Sequence, residues 1–231
     1  MKALILCAGE GRRLRPLTQI MPKPLVPVGG VPMVVRQILQ LREAGIRDIV
    51  LNVAYGAGII EGYLKSGSQW GVRLSYSREG TSAQEALETL GGIVKAMPLL
   101  HDDDEAFLVV AGDIVTDYPY DRLIQRGRQL RKEGPLAHLV LVPNPVYHGS
   151  GDMTLLEDAR VSHQNPTHTF SSLGVYHESL FSGLLPERAK LFPWLWQAVG
   201  QGNVTGEVYE GRWFNVGDFD EWHKVQHLYQ G

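Results

Sequence analysis

The stretch Leu6-Cys7-Ala8-Gly9-Glu10-Gly11-Arg12-Arg13-Leu14-Arg15-Pro16-Leu17-Thr18 joins two closely spaced glycines to several basic side chains. Glycine lacks a Cβ, so Gly9 and Gly11 let main-chain N–H groups turn inward and approach an anion closely. Arg13 and Arg15 can add bidentate charge to the same anion. A phosphate chain is the ligand that such a loop suits. A dinucleotide fingerprint would need a third glycine where Leu14 stands, and a P-loop would need Gly-Lys-Ser/Thr, which is absent. On these residues alone, a phosphate loop and a flexible basic surface loop both remain open.

Further on, Met21-Pro22-Lys23-Pro24-Leu25-Val26-Pro27-Val28 brackets one lysine with prolines. Proline fixes its own backbone and restricts the residue before it, so Lys23 is displayed on a stiff segment as a point charge for a phosphate. Asp113 closes the apolar run in Val109-Val110-Ala111-Gly112-Asp113. At the mouth of a sheet its carboxylate can hold Mg²⁺ shared with substrate phosphates. A plain turn aspartate is the alternative.

The elements that must position these residues follow from periodicity. Lys2 to Cys7, Asp48 to Val53 and Ala106 to Val110 read as buried strands, and Val72 to Tyr76 as an alternating one. Between them, Val34 to Ala44, Ala57 to Lys65 and Ala86 to Met97 have helical spacing, the first ending at Gly45. This βαβ order predicts a Rossmann-like α/β three-layer sandwich with a mostly parallel central sheet. After Leu136 the texture changes. Leu136 to Val142, Asp152 to Leu156 and His168 to Tyr176 read as a small antiparallel extension over the crevice. Helices near Ala189 to Val199 and Phe219 to Tyr229 flank an expected strand pair at Val204 to Tyr209 and Arg212 to Val216. The expectation is one domain over 1–231, with a first part to about residue 135 and a second from about 136.

The opening resembles that of the sugar nucleotidyltransferases, whose pattern is L-A-A-G-x-G-T-R-L-x-P-L-T followed by P-K-P-L. Gly9, Gly11, Arg13, Pro16, Leu17, Thr18, Pro22, Lys23, Pro24 and Leu25 match it, while Cys7 replaces an alanine and Arg12 a threonine. The resemblance implies that Ala8, Gly9, Gly11 and Arg13 hold a nucleoside triphosphate and that Lys23 meets the reacting phosphates. It makes Arg13, Lys23 and Asp113 the catalytic set and Asp113 a metal ligand. The family's second metal position, in a pattern like W-x-D-V-G-T, reads Trp213-Phe214-Asn215-Val216-Gly217-Asp218 here. Asn215 brings an amide oxygen without charge. Asp218 reads as the N-cap of the last helix. Leu87-Glu88-Thr89-Leu90-Gly91-Gly92-Ile93 is similar to the family's base-recognition segment, which places Glu88, Gly91 and Gly92 near the base; helix–sheet packing also accounts for the glycines.

Asn144-Pro145-Val146-Tyr147-His148-Gly149-Ser150-Gly151-Asp152 is similar to a stretch of the N-acetylmuramate 1-phosphate uridylyltransferases, as are Thr169-Phe170-Ser171, Lys190-Leu191-x-Pro193 and Val204-x-Gly206-Glu207. By that likeness Asn144, Gly151, Asp152, Ser171 and Lys190 bind the sugar. Ser172 departs from a usual glycine, and His148 reads as a structural histidine. The implied reaction is Mg²⁺-dependent transfer from UTP to a sugar 1-phosphate. Thymidylyl or guanylyl transfer, or a nucleotide-sugar-binding regulator without activity, are the alternatives.

Composition narrows the classes. Lys plus Arg number 22 against 25 Asp plus Glu, a net charge of −3, so no basic excess supports nucleic-acid binding. The single cysteine, Cys7, leaves no internal disulfide or cysteine-based zinc site. No apolar run approaches the ~20 residues that span a bilayer. Gly9 and Glu10 interrupt the N-terminal apolar run too early for a secretory signal. The expected partners are a nucleoside triphosphate and a sugar 1-phosphate in the cytoplasm, without nucleic acid or membrane; a homo-oligomer stays open.

Overall fold

The apolar N-terminal run forms strand β1 (Lys2–Leu6), with Ala3, Leu4 and Ile5 fully buried. The structure, a computed structural model, describes residues 1–229. After β1 come α1 (Leu17–Ile20), the hairpin β2 (Pro27–Val28) and β3 (Val31–Pro32), and α2 (Met33–Glu43). Then follow β4 (Asp48–Val53), α3 (Ala57–Leu64), β5 (Arg73–Arg78), α4 (Glu88–Leu100), β6 (Ala106–Ala111) and β7 (Ile114–Thr116). The second part holds α5 (Asp121–Gly127), β8 (Ala137–Pro143), β9 (Thr154–Leu155), β10 (Val161–Ser162) and β11 (His168–His177). It ends with α6 (Leu191–Gly200), β12 (Val204–Val208), β13 (Trp213–Asn215) and α7 (Phe219–Leu228).

The central sheet has seven strands in the order β12-β8-β11-β6-β1-β4-β5. All its neighbours run parallel except at β11, which is antiparallel to both β6 and β8. Successive side chains of a strand point to opposite faces. Ala3 and Ile5 therefore pack with Val35 and Ile38 of α2, Ile60 of α3 and Leu123 of α5. Leu4 and Val50 pack on the other face with Ile93 of α4 and Leu195 of α6. The result is a three-layer α/β sandwich. Because β4 and β6 flank β1, the chain winds in opposite directions from it. The loop after β1 thus emerges at a topological switch point, where ligands of such sheets bind.

Two expectations are corrected. The segments near 137–143 and 168–177 are not an appended antiparallel extension: β8 and β11 enter the central sheet, and only the β9–β10 hairpin stands apart. Six consecutive residues of β8, Ala137–Val142, are buried, as a strand covered on both faces requires. Nor do Val204–Val208 and Trp213–Asn215 pair with each other. β12 lies parallel to β8, whereas β13 returns to pair antiparallel with β7, setting Asn215 opposite Ile114. A third apolar cluster, with Leu14, Val26, Val28, Met33, Val115, Val216 and Val225, binds these returning segments over the switch point.

At β12 the sheet carries a buried charge. Glu207 accepts the Tyr118 hydroxyl at 2.6 Å and faces Arg122 Nη2 at 3.0 Å, with the His138 ring 3.7 Å away. Burial alone would push this carboxyl up, but the nearby His138 ring, the hydrogen bond from Tyr118 and the Arg122 charge outweigh it and hold the pKa at about 2. A depressed carboxyl contributes stability above its unfolded pKa of ~4.3 and loses it as pH falls through the folded value. Thermal melting curves of the native protein and Glu207→Gln are therefore expected to converge as pH drops from about 4.5 to about 2. A constant difference across that window would rule out the charge as the cause.

Candidate active site

The loop after β1 opens into a cavity of about 830 Å³ at the carboxyl ends of the parallel strands. Gly9 has nothing within 4 Å of the place where a Cβ would stand, so its backbone faces open space. Gly11 adopts φ +70°, and a Cβ there would lie 2.9 Å from Cβ of Lys23 and 3.0 Å from Thr18 Cγ2. Glycine at this position is what allows the lysine segment to press against the loop. The Thr18 hydroxyl ties the turn by donating to Gly11 O at 2.9 Å.

The three arginines of the loop divide. Arg12 Nε and Arg15 Nη2 pair with the two oxygens of Glu10 at 2.6 and 2.5 Å. The hydrogen bond from Arg12, reinforced by Arg15, holds the Glu10 carboxyl below the usual range. Arg13 makes no ion pair among the described residues and lies over the turn after β13, its Nη2 2.9 Å from the place of a Cβ on Gly217. Arg12 and Arg13 line the cavity and Arg15, expected there beside Arg13, does not.

Lys23 and Asp113 meet in the cavity wall, the Lys23 ammonium donating to Asp113 Oδ2. The lysine side chain is only 12% exposed, held by the hairpin β2–β3, which α7 covers through Trp222 Nε1 donating to Pro27 O at 2.8 Å. Asp113 lies between β6 and β7, and its carbonyl accepts from Val216 N at 3.0 Å. That bond brings Asn215 to the same wall, where its Oδ1 is buried without any hydrogen-bond partner. A buried acceptor left unmade costs free energy, so this oxygen fits a ligand that supplies positive charge. Asp113 and Asn215 together offer hard oxygen donors suited to Mg²⁺, which keeps waters and substrate oxygens as its other ligands. No cluster of three His, Cys, Asp or Glu exists among the described residues, so a closed protein cage is not formed. Asp218 caps α7, accepting from Glu221 N at 3.0 Å.

On the β4–β5 side of the cavity lies a buried polar network. Asn52 Oδ1 accepts from Cys7 N at 2.8 Å, and Asn52 Nδ2 donates to Glu79 Oε1 at 2.6 Å. Glu79 Oε2 accepts from Leu87 N at 2.7 Å, at the start of α4. Burial pushes the Glu79 carboxyl up against these hydrogen bonds. Glu88 lines the cavity, but Gly91 and Gly92 do not. A Cβ on Gly91 would meet Glu187 O at 2.0 Å, and one on Gly92 would meet Glu79 Oε1 at 2.4 Å. Their glycines serve close packing. Asn52 and Glu79 were readable as polar residues at the carboxyl ends of β4 and β5, the same signal that marks Asp113.

On the opposite side, Phe170, Ser172 and Tyr176 of β11 line the cavity with Arg188, Lys190 and Phe192. Of the expected sugar residues, Lys190 is there, whereas Asn144, Gly151, Asp152 and Ser171 are not among the lining residues. The side chains of Asn144, Asp152 and Ser171 brace the neighbouring segments instead. Asn144 Oδ1 accepts from the Thr169 hydroxyl at 2.9 Å, Asp152 accepts from Phe170 N at 2.9 Å, and Ser171 Oγ donates to Val140 O at 2.7 Å. Gly151 has φ +64°, and a Cβ there would press on Asn144 at 2.7 Å. His148 Nε2 lies 3.0 Å from Asp152 Oδ1 in the same brace.

Because Asn52 satisfies both the loop and Glu79, Asn52→Ala is expected to lower the free energy of urea unfolding by about 2 kcal/mol, through stranded buried polar groups. A loss below roughly 0.5 kcal/mol would show that water replaces the amide without cost.

Residues 2–164 match the Nucleotidyl transferase family. The N-acetylmuramate alpha-1-phosphate uridylyltransferase of Neisseria meningitidis serogroup B is 41% identical over 221 residues, covering 94% of this chain and 93% of that protein. A mannose-1-phosphate guanyltransferase of Aspergillus fumigatus is 40% identical over 150 residues, which span 64% of this chain and 40% of that relative's length. In three dimensions the chain superposes on a Bacillus anthracis crystal structure assigned as a glucose-1-phosphate thymidylyltransferase, with TM-score 0.84 and 18% identity, covering all of this chain and 95% of the other. That likeness shows the shared fold. The chain belongs to the nucleotidyl transferase family, among its sugar-1-phosphate nucleotidyltransferases.

Proposed function

We propose that the protein transfers uridylyl from UTP to N-acetylmuramate 1-phosphate, with Mg²⁺, in the cytoplasm. The observation that carries this reading is the meeting of Arg13, Lys23, Asp113 and the orphaned Asn215 oxygen around one cavity, beside a loop whose glycines leave room for phosphates. The Neisseria relative favours this nucleotide and sugar. No helix among the described residues is long and apolar enough to cross a membrane.

The reaction needs no covalent enzyme intermediate. A phosphate oxygen of the sugar 1-phosphate forms a bond to the α-phosphorus of UTP, while the bond from that phosphorus to the bridging oxygen breaks and pyrophosphate leaves. The cavity wall offers no competing nucleophile at Cys7, whose thiol is buried and pushed far up by that burial. Lys23 and Arg13 neutralise the charge that builds on the phosphates, and main-chain N–H groups of residues 8–11 orient them. Asp113 and Asn215 would hold the metal, which supplies charge neutralisation at the phosphoryl oxygens when bound. The base lies toward Asn52 and Glu79, and the acceptor toward β11.

On the acceptor side Lys190 makes no ion pair with any described residue. Its charge suits the lactyl carboxylate that distinguishes N-acetylmuramate from N-acetylglucosamine.

Purified protein with UTP, Mg²⁺ and N-acetylmuramate 1-phosphate is expected to release pyrophosphate, and Lys23→Ala and Asp113→Ala are each expected to slow it about 100-fold or more. Normal turnover in both variants would refute the site, and silence across all common triphosphates and sugar 1-phosphates would refute the activity. For the sugar, Lys190→Ala should raise the KM for N-acetylmuramate 1-phosphate by roughly tenfold while moving that for N-acetylglucosamine 1-phosphate little. Equal changes for both sugars would remove the carboxylate contact.

A further inference from the structure

Among the described residues, six other than glycine have positive φ, and only two of these, Glu88 and Ser172, line the cavity. Ser172 has φ +61°. It sits where β11 slips register against β8: pairing stops after Phe170 opposite Leu141 and resumes at Gly174 opposite Leu139. A bulge of this kind re-aims a side chain while the strand continues.

The bulge is held from several directions. Ser171 Oγ donates to Val140 O at 2.7 Å and accepts from Leu173 N at 3.2 Å, and Trp213 Nε1 donates to Ser171 O at 3.0 Å. The left-handed conformation of Ser172 is therefore imposed by its surroundings, and a side chain is carried there against its preference. Ser172 is only partly buried and lines the cavity, and its hydroxyl makes no hydrogen bond among the described residues. Beside it stand the rings of Phe170 and Phe192, edge to face with centroids 6.2 Å apart. Apolar ring faces and one uncommitted hydroxyl match a pyranose, which has C–H faces and polar substituents at its rim.

We propose that Ser172 is a contact residue for the acceptor, its hydroxyl exchanging a hydrogen bond with a polar substituent of the sugar ring held against Phe170 and Phe192. This rests on the sugar 1-phosphate reading above and adds a specificity contact to it. Ser172→Gly removes the hydroxyl and relieves the backbone; Ser172→Ala removes the hydroxyl and keeps the strain.

Steady-state kinetics with each substrate varied in turn test the contact. Both variants are expected to raise the acceptor KM roughly three- to tenfold, the effect of one lost hydrogen bond. Their kcat and nucleotide KM should stay within about twofold of the native values, as for an interaction equal in ground and transition states. Ser172→Gly should melt no lower than the native protein. An acceptor KM unmoved in both variants overturns the contact, as does a rise in Ser172→Gly alone, which would report backbone freedom. If the native protein turns over no sugar 1-phosphate, the proposed function itself fails and this contact with it.

Discussion

The contact between the Lys23 ammonium and the Asp113 carboxylate is the point to which the rest of the molecule is fitted. Two opposite charges from distant parts of the chain share one wall of a cavity and are largely withdrawn from water. Each would be costly there without the other, because a charge in low dielectric needs a partner. Their meeting requires a close approach at Gly11, a stiff Pro22-Lys23-Pro24 segment and a hairpin clamped by α7. It also requires β7 to bring β13 back, so that Asn215 joins the pair.

The sheet makes that arrangement reachable. With β4 on one side of β1 and β6 on the other, the loop at Gly9–Arg13 leaves the sheet between strands that both present polar residues at their carboxyl ends. Asn52 and Glu79 stand to one side, and Asp113 to the other. The antiparallel β11 then turns its bulge toward the same mouth and supplies an aromatic wall. One cavity thus has a buried polar end, a charged middle and an apolar end. That order suits a base, a chain of phosphates and a sugar.

Much of the middle was legible because its chemistry is local. A phosphate loop needs glycines and a guanidinium within a few residues, and Gly9, Gly11 and Arg13 lie within five positions of one another. The prolines around Lys23 and the apolar run before Asp113 are likewise local signals. The ends of the cavity were harder to read. Asn144, Gly151, Asp152 and Ser171 form a polar cluster in sequence, but their hydrogen bonds turn inward to hold a loop and a bulge. A residue type shows that a hydrogen bond is needed and does not say whether a ligand or the backbone provides it.

By itself, the chain's order of residues determined the buried strands, the helices between them, the glycine-rich loop and the placing of Arg13, Lys23 and Asp113 on the cavity, since each depends on neighbours a few positions away. Only the tertiary structure decided that β8 and β11 complete the central sheet, that β13 pairs with β7 rather than β12, and that Gly91 and Gly92 pack closely while Asn52 and Glu79 line the cavity. It also turned Arg15 away from the cavity, toward Glu10, and set Ser172 on the cavity wall. These outcomes depend on contacts between segments distant in the chain. Strand pairing, close approach and the burial of one polar group against another are settled when the layers pack.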